Sequence, residues 1–256
     1  MKVNMQQFAG YLAGLRNGED TVRRAAVSSL AKYTDAEWEG APDAVEQAVE
    51  ALLTARRQRG TAALDAASRA DAAKALGNIG VRNKAVLPEL LRFLREDSDN
   101  TVRAEAARSL GKLGAAAANA GTSLINALQK KDSGDALRCE AARALARTDP
   151  QSNAARAALK TATNDKSGAV AVCAAEALWR ATGEAELSAK ALIARLRDKV
   201  VRASAAQVLY RMGPQAKNAV PALLSASKDK DRLFHESVMM ALQNIDPRAA
   251  AKAAAK

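Results

Sequence analysis

Apolar residues in this chain recur at helical spacing in paired segments joined by short polar turns. Over 83–114, Val86, Leu87, Leu90, Leu91 and Leu94 follow the period of one helix. Glu96, Asp97, Ser98, Asp99 and Asn100 interrupt it, and Val102, Ala106, Leu110 and Leu113 resume it. Asp99 or Asn100 supplies a short side-chain oxygen to cap the second helix, and Gly114 suits a left-handed exit from it. Gly80, Gly183 and Gly213 stand at the same place after other second helices.

One phrase marks those second helices: a turn aspartate, an apolar-basic pair, then small residues and a leucine eight positions after the apolar residue. It reads DTVRRAAVSSL at 20–30, DNTVRAEAARSL at 99–110, DALRCEAARAL at 135–145 and DKVVRASAAQVL at 198–209. Weaker copies begin at Asp65, Gly168 and Asp231. Its basic position holds Arg23, Arg69, Arg103, Arg138, Ala171, Arg202 and His235, at successive separations of 46, 34, 35, 33, 31 and 33 residues. A period in the low thirties signals a repeat array, because one helical hairpin cannot bury its apolar face alone. Seven helix pairs are predicted, over about 4–33, 35–80, 83–114, 115–148, 150–183, 185–213 and 214–246. The second is long, with an acidic insertion at 35–47 in which Pro42 separates a short helical turn from the helix proper. The alanine- and lysine-rich tail at 247–256 is helix-prone with almost nothing to bury.

The pattern resembles HEAT repeats, specifically the bacterial HEAT-like group typified by phycobilisome-lyase repeats. The resemblance spans roughly 4–246 and is best in VRAEAARSLGKLG at 102–114 and VRASAAQVLYRMG at 201–213. It implies an all-α, right-handed α-α superhelix, a single domain over 1–256, with second helices on the concave face. The bilin lyases share this repeat type, but nothing in the sequence specifies a chromophore pocket, and fold does not imply function.

Hydrophobic residues make up 48% of the 256 positions but aromatics only 3%, so alanine carries much of the apolar content and favours close helix packing. No apolar run reaches membrane-spanning length, and the start lacks the long apolar core of a secretory signal. Cys139 and Cys173 read as two small core thiols in a reducing cytosol, so a cytoplasmic protein is expected. The formal net charge of +11 favours acidic protein surfaces or polyanions as partners.

The candidate chemistry is non-catalytic. At the basic position, Arg23, Arg69, Arg103, Arg138 and Arg202 each follow an aspartate by three or four residues, a ladder that holds the stack in register or offers a binding strip. His235 takes the same position in the last unit. A second basic set ends each first helix and lines up as an anion-binding edge: Arg56, Arg57, Arg59, Arg92, Arg95, Lys130, Lys131, Arg195 and Arg197, diluted by acidic neighbours. At the C-terminal end, Phe234, Val238, Ala241, Leu242 and Ile245 form an inward face, leaving Leu233, Met239 and Met240 as a patch for self-association or docking, unless the tail covers it. No catalytic, cofactor or metal motif appears. The expected function is a macromolecule-binding scaffold or adaptor with an acidic protein partner. The alternative is a nucleic-acid repair factor resembling HEAT-like alkylpurine DNA glycosylases. Its mark would be a carboxylate facing an aromatic inside a basic concavity; Trp179 beside Arg180 is the nearest approach in sequence.

Overall fold

A computed structural model describes residues 4–17, 19–39, 41–58 and 63–254. Among these, sixteen α-helices and no strand are present. They divide into two compact units, Met1–Asp149 and Pro150–Lys256.

The first unit holds α1 (Met5–Asn17), α2 (Asp20–Leu30), α3 (Asp35–Trp38), α4 (Pro42–Arg57), α5 (Ala66–Ile79), α6 (Val86–Glu96), α7 (Asn100–Leu113), α8 (Gly121–Gln129) and α9 (Asp135–Thr148). The first helices α1, α4, α6 and α8 pack on their second helices, and α2, α5, α7 and α9 stack in succession. The leucine closing each phrase is the core of that stack: Leu30, Leu76, Leu110 and Leu145 are all buried. Small residues let the second helices approach closely. A Cβ added to Gly77 would lie 2.4 Å from Ser109 Oγ, and one on Gly111 would lie 3.1 Å from Ala144 Cα. Asp99, rather than Asn100, caps α7, accepting from the N–H groups of Thr101 at 2.7 Å and Val102 at 3.3 Å. The helix ends at Gly114, whose φ of +57° a side chain would oppose. In the insertion, Glu37 and Thr34 form a capping box around α3, and Pro42 starts α4. Trp38 is fully buried, edge-on to Phe8 with ring centroids 6.1 Å apart.

The second unit holds α10 (Asn153–Ala162), α11 (Gly168–Thr182), α12 (Ala185–Arg195), α13 (Arg202–Met212), α14 (Val220–Ala226), α15 (Arg232–Ile245) and α16 (Pro247–Ala254). Leu178, Leu209 and Leu242 repeat the buried leucine, and Phe234, Val238, Ala241 and Ile245 are buried with them. The tail departs from expectation. As α16 it packs on α14 and α15 and buries Ala249 and Ala250, because the alanine stripe of an amphipathic turn needs little room against a neighbouring helix.

The cysteines also depart from expectation. Cys139 and Cys173 are buried among small residues, but neither is a free thiol. Space beside alanines admits a bonded sulfur as readily as a thiol, so burial alone did not settle their state.

Candidate functional site

The ladder side chains close helical hairpins. The last carbonyls of an α-helix lack intrahelical donors, and the ladder supplies them. Arg103 Nε donates to the Leu94 carbonyl in the last turn of α6 at 3.0 Å, and Arg138 Nε to the Leu128 carbonyl of α8 at 2.8 Å. His235 Nδ1 lies 2.7 Å from the Ser227 carbonyl; a carbonyl only accepts, so Nδ1 carries the proton. Arg69 Nη1 donates to the Leu64 carbonyl at 3.0 Å, while Nε and Nη2 grip both carboxylate oxygens of Asp97 in the next hairpin's turn, at 2.8 and 2.9 Å. That two-pronged bond raises the Arg69 pKa. Arg202 reaches Asp229 at 2.7 Å and Asp231 at 2.8 Å, with its guanidinium 4.4 Å from the Phe234 ring centroid.

The aspartate three or four positions before each arginine has a different role in most copies. Arg23 does bond Asp20, at 2.8 Å within α2. Asp65 instead accepts from the Ser68 N–H at 2.8 Å, and Asp99 caps α7 as described. These backbone bonds hold both carboxyls below their usual range. A cap oxygen is already aimed at the first-turn N–H groups, so the guanidinium turns to a carbonyl or to the next turn. At Ala171 the ladder has no polar side chain to offer.

The basic edge is thinned by ion pairs. Arg56 pairs with the buried Glu89 of the next hairpin and lies 4.9 Å from the centroid of the Phe93 ring. Arg92 bonds Glu96 at 3.0 Å and Lys130 approaches Asp132 at 3.7 Å. Arg95 Nε donates to the Leu91 carbonyl at 3.3 Å, and Arg195 Nη2 to the Asp165 carbonyl at 2.7 Å. Arg57, Lys131 and Arg197 are exposed. Arg59 lies outside the described residues. In the C-terminal patch, Leu233 and Met240 are 75% and 57% exposed, whereas Met239 is half-buried against the core. Although α16 packs on α15, it does not cover Leu233 or Met240.

A further set of charges was not singled out from the sequence. On α7 and α9, Glu140 accepts from Arg108 at 3.2 Å and Arg143 at 2.8 Å, and Arg108 also bonds Glu105 at 2.8 Å. The side chains of Arg108 and Arg143 are 50% and 45% exposed, that of Glu140 only 10%. The acids lie beneath and the guanidiniums face outward. Burial pushes the Glu105 carboxyl up and the Lys112 ammonium down. The second unit repeats the arrangement: Glu176, 10% exposed, accepts from Arg180 at 3.0 Å and pairs with Arg211 at 3.2 Å. Trp179 Nε1 donates to Gln215 Oε1 at 2.7 Å. The signal was present as Glu and Arg two and five positions after the ladder residue, EAAR at 105–108 and 140–143. Asparagine clasps join second helices at their far ends: Asn78 Nδ2 donates to the Tyr33 carbonyl at 2.8 Å and Asn244 Nδ2 to the Tyr210 carbonyl at 2.7 Å.

Stacked helix pairs, several of them closed by a ladder side chain on the preceding turn, define an all-α helical-repeat fold of HEAT type. Residues 61–133 match the family model of HEAT repeats. The chain is similar to the complex of CpcE and CpcF of phycocyanin lyase from Nostoc sp. PCC7120, with TM-score 0.57 and 23% identity over 96% of this chain and 91% of that one. It is also similar to a Kap121p mutant, with TM-score 0.58 and 17% identity over 95% of this chain and 27% of that one. No curated protein matches the sequence closely. These likenesses establish the fold. Among the described residues no helix is long and apolar enough to cross a membrane, and no cluster of three metal-ligating side chains occurs.

Proposed function

We propose that this protein is a non-enzymatic binding scaffold that engages an acidic protein surface through its second helices. The supporting observation is the layering of charge in each unit. Arg108 and Arg143 stand over Glu140, and Arg180 and Arg211 stand over Glu176, with the cations about half exposed and the acids nearly covered. Each guanidinium is held in place before a partner arrives, which lowers the ordering cost of binding. The net charge of +11 acts in the same direction. A repair enzyme would need a carboxylate left available beside an aromatic. Glu176, three residues from Trp179, is instead held by two arginines, and the Trp179 indole N–H is tied to Gln215. The cytoplasmic expectation loses the support of free thiols.

The test is affinity purification from the source cell at low and moderate salt, with mass spectrometry and nuclease treatment. Arg143→Gln with Arg211→Gln leaves each buried acid one arginine and is expected to lower recovery of the co-purifying protein without lowering the melting temperature. Recovery of nucleic acid in place of protein, or protein recovery indifferent to the double variant, would overturn the reading.

A further inference from the structure

The second unit contains a cleft that is wider than its counterpart within the first unit. It has a volume of about 760 Å³ and lies between the C-terminal end of α12 and α14. Its floor is apolar: Leu196 and Phe234 are buried, and Ile193 and Ala226 are half-buried. Arg197, Lys199 and Lys228 stand exposed around it. The corresponding cleft of the first unit is only about 360 Å³ and is lined by Arg56, Arg92, Phe93 and Asp97 among others.

The repeat register explains the difference. The Leu94 and Ser227 carbonyls both receive the ladder side chain of their hairpin, from Arg103 and His235. In that register, buried Val86 and Leu90 of α6 correspond to buried Ala219 and Leu223. Glu89, Arg92 and Phe93 then correspond to Ala222, Ser225 and Ala226. In the first unit the Phe93 ring occupies the space, Arg56 lies over it, and Glu89 takes the charge of Arg56. In the second unit the ring and the carboxylate are both cut back to methyl groups. The one carboxylate lining the cleft, Asp229, is bonded to Arg202. The plug and its counter-charge are missing together, which leaves an apolar slot under a cationic rim.

We propose that this cleft binds an acidic protein segment that inserts one large apolar side chain where Phe93 sits in the first unit, with flanking carboxylates on Arg197, Lys199 and Lys228. The proposal rests on the reading of the chain as a protein-binding scaffold but places a second contact on a different surface. A nucleic-acid strand fits less well. Stacking a base needs an open ring face, and the guanidinium of Arg202 lies over that of Phe234.

Fluorescence anisotropy of the whole protein tests this, using a labelled acidic decapeptide with one central phenylalanine, its twin with alanine at that place, and oligothymidylate. The phenylalanine peptide is expected to bind about tenfold or more tightly than its twin, the gain for burying one such side chain. Ala226→Phe restores the first unit's residue and should weaken that peptide by a similar factor. Arg197→Glu with Lys228→Glu alters exposed side chains and should do the same, so it decides the matter if Ala226→Phe melts. Arg143→Gln with Arg211→Gln should leave peptide binding unchanged, which separates failure here from failure of the scaffold reading. Equal binding of the two peptides, wild-type affinity in a folded Ala226→Phe protein, displacement of the peptide by oligothymidylate, or no binding at all overturns the proposal.

Discussion

Arg56 illustrates how an arginine is used in this chain. It lies in the last turn of α4, where a cation suits the helix dipole, and from sequence it belongs with Arg57 to an exposed basic run. In the fold it is mostly covered, paired with the buried Glu89 of the next hairpin and stacked on Phe93. Arg56→Gln should therefore strand a buried carboxylate and cost about 3 kcal/mol, read as a lower denaturant midpoint. Arg57→Gln should change stability by less than about 0.5 kcal/mol. Equal effects would mean that the Arg56–Glu89 pair contributes nothing. The two residues are adjacent and of one type, so no local rule separates them. The separation comes from a glutamate 33 positions away. The ladder divides in the same manner: the Arg–carbonyl bond of Arg103 stays inside one hairpin, whereas the grip of Arg69 on Asp97 crosses to the next.

At the level of elements, the helix pairs were legible because amphipathic period and turn chemistry are local. Asp99, Gly114 and Pro42 each mark a helix end where the sequence places it. The tightness of packing between second helices was not legible. Gly77 and Gly10 both interrupt helices and look alike in sequence. A Cβ on Gly77 would meet the Ser109 side chain at 2.4 Å and its Cα at 3.1 Å, whereas a Cβ on Gly10 meets nothing within 4 Å. Gly77→Ala should thus destabilise by roughly 1–3 kcal/mol despite its better helix propensity, because α7 must shift. Gly10→Ala should stabilise by about 0.5–1 kcal/mol. Urea midpoints of the two variants moving in the same direction would contradict this account. The tail teaches a related lesson: its alanines have a burial site only because α14 and α15 present one.

For the molecule as a whole, capping chemistry repeated along the chain predicts acid lability. Backbone N–H groups hold Asp65, Asp99 and Asp231 below the usual aspartate range, and Glu37 below the usual glutamate range. Their folded values lie beneath the unfolded ones, so the unfolded chain binds protons first as pH falls. The stabilisation is fully present above the unfolded values and is lost as pH drops through the depressed ones. Glu105 opposes this, since burial raises its value, but it is one group against four. The denaturation midpoint should fall between about pH 5 and about pH 3, and Asp99→Asn should flatten that slope. A midpoint that holds or rises on acidification would refute it. By itself the sequence determined the period, the helix pairs, the turn caps and the HEAT-type fold, because each rests on contacts within a few residues or on simple repetition. Only the tertiary structure decided which cations are bound and which face outward, that both cysteines are not free thiols, and that a cleft opens where Phe93 gives way to Ala226. The cation pairings and the cleft depend on side chains about one repeat apart in sequence, such as Arg56 with Glu89 and Arg202 with Asp229, and stacking hairpins within a unit is what brings them into contact.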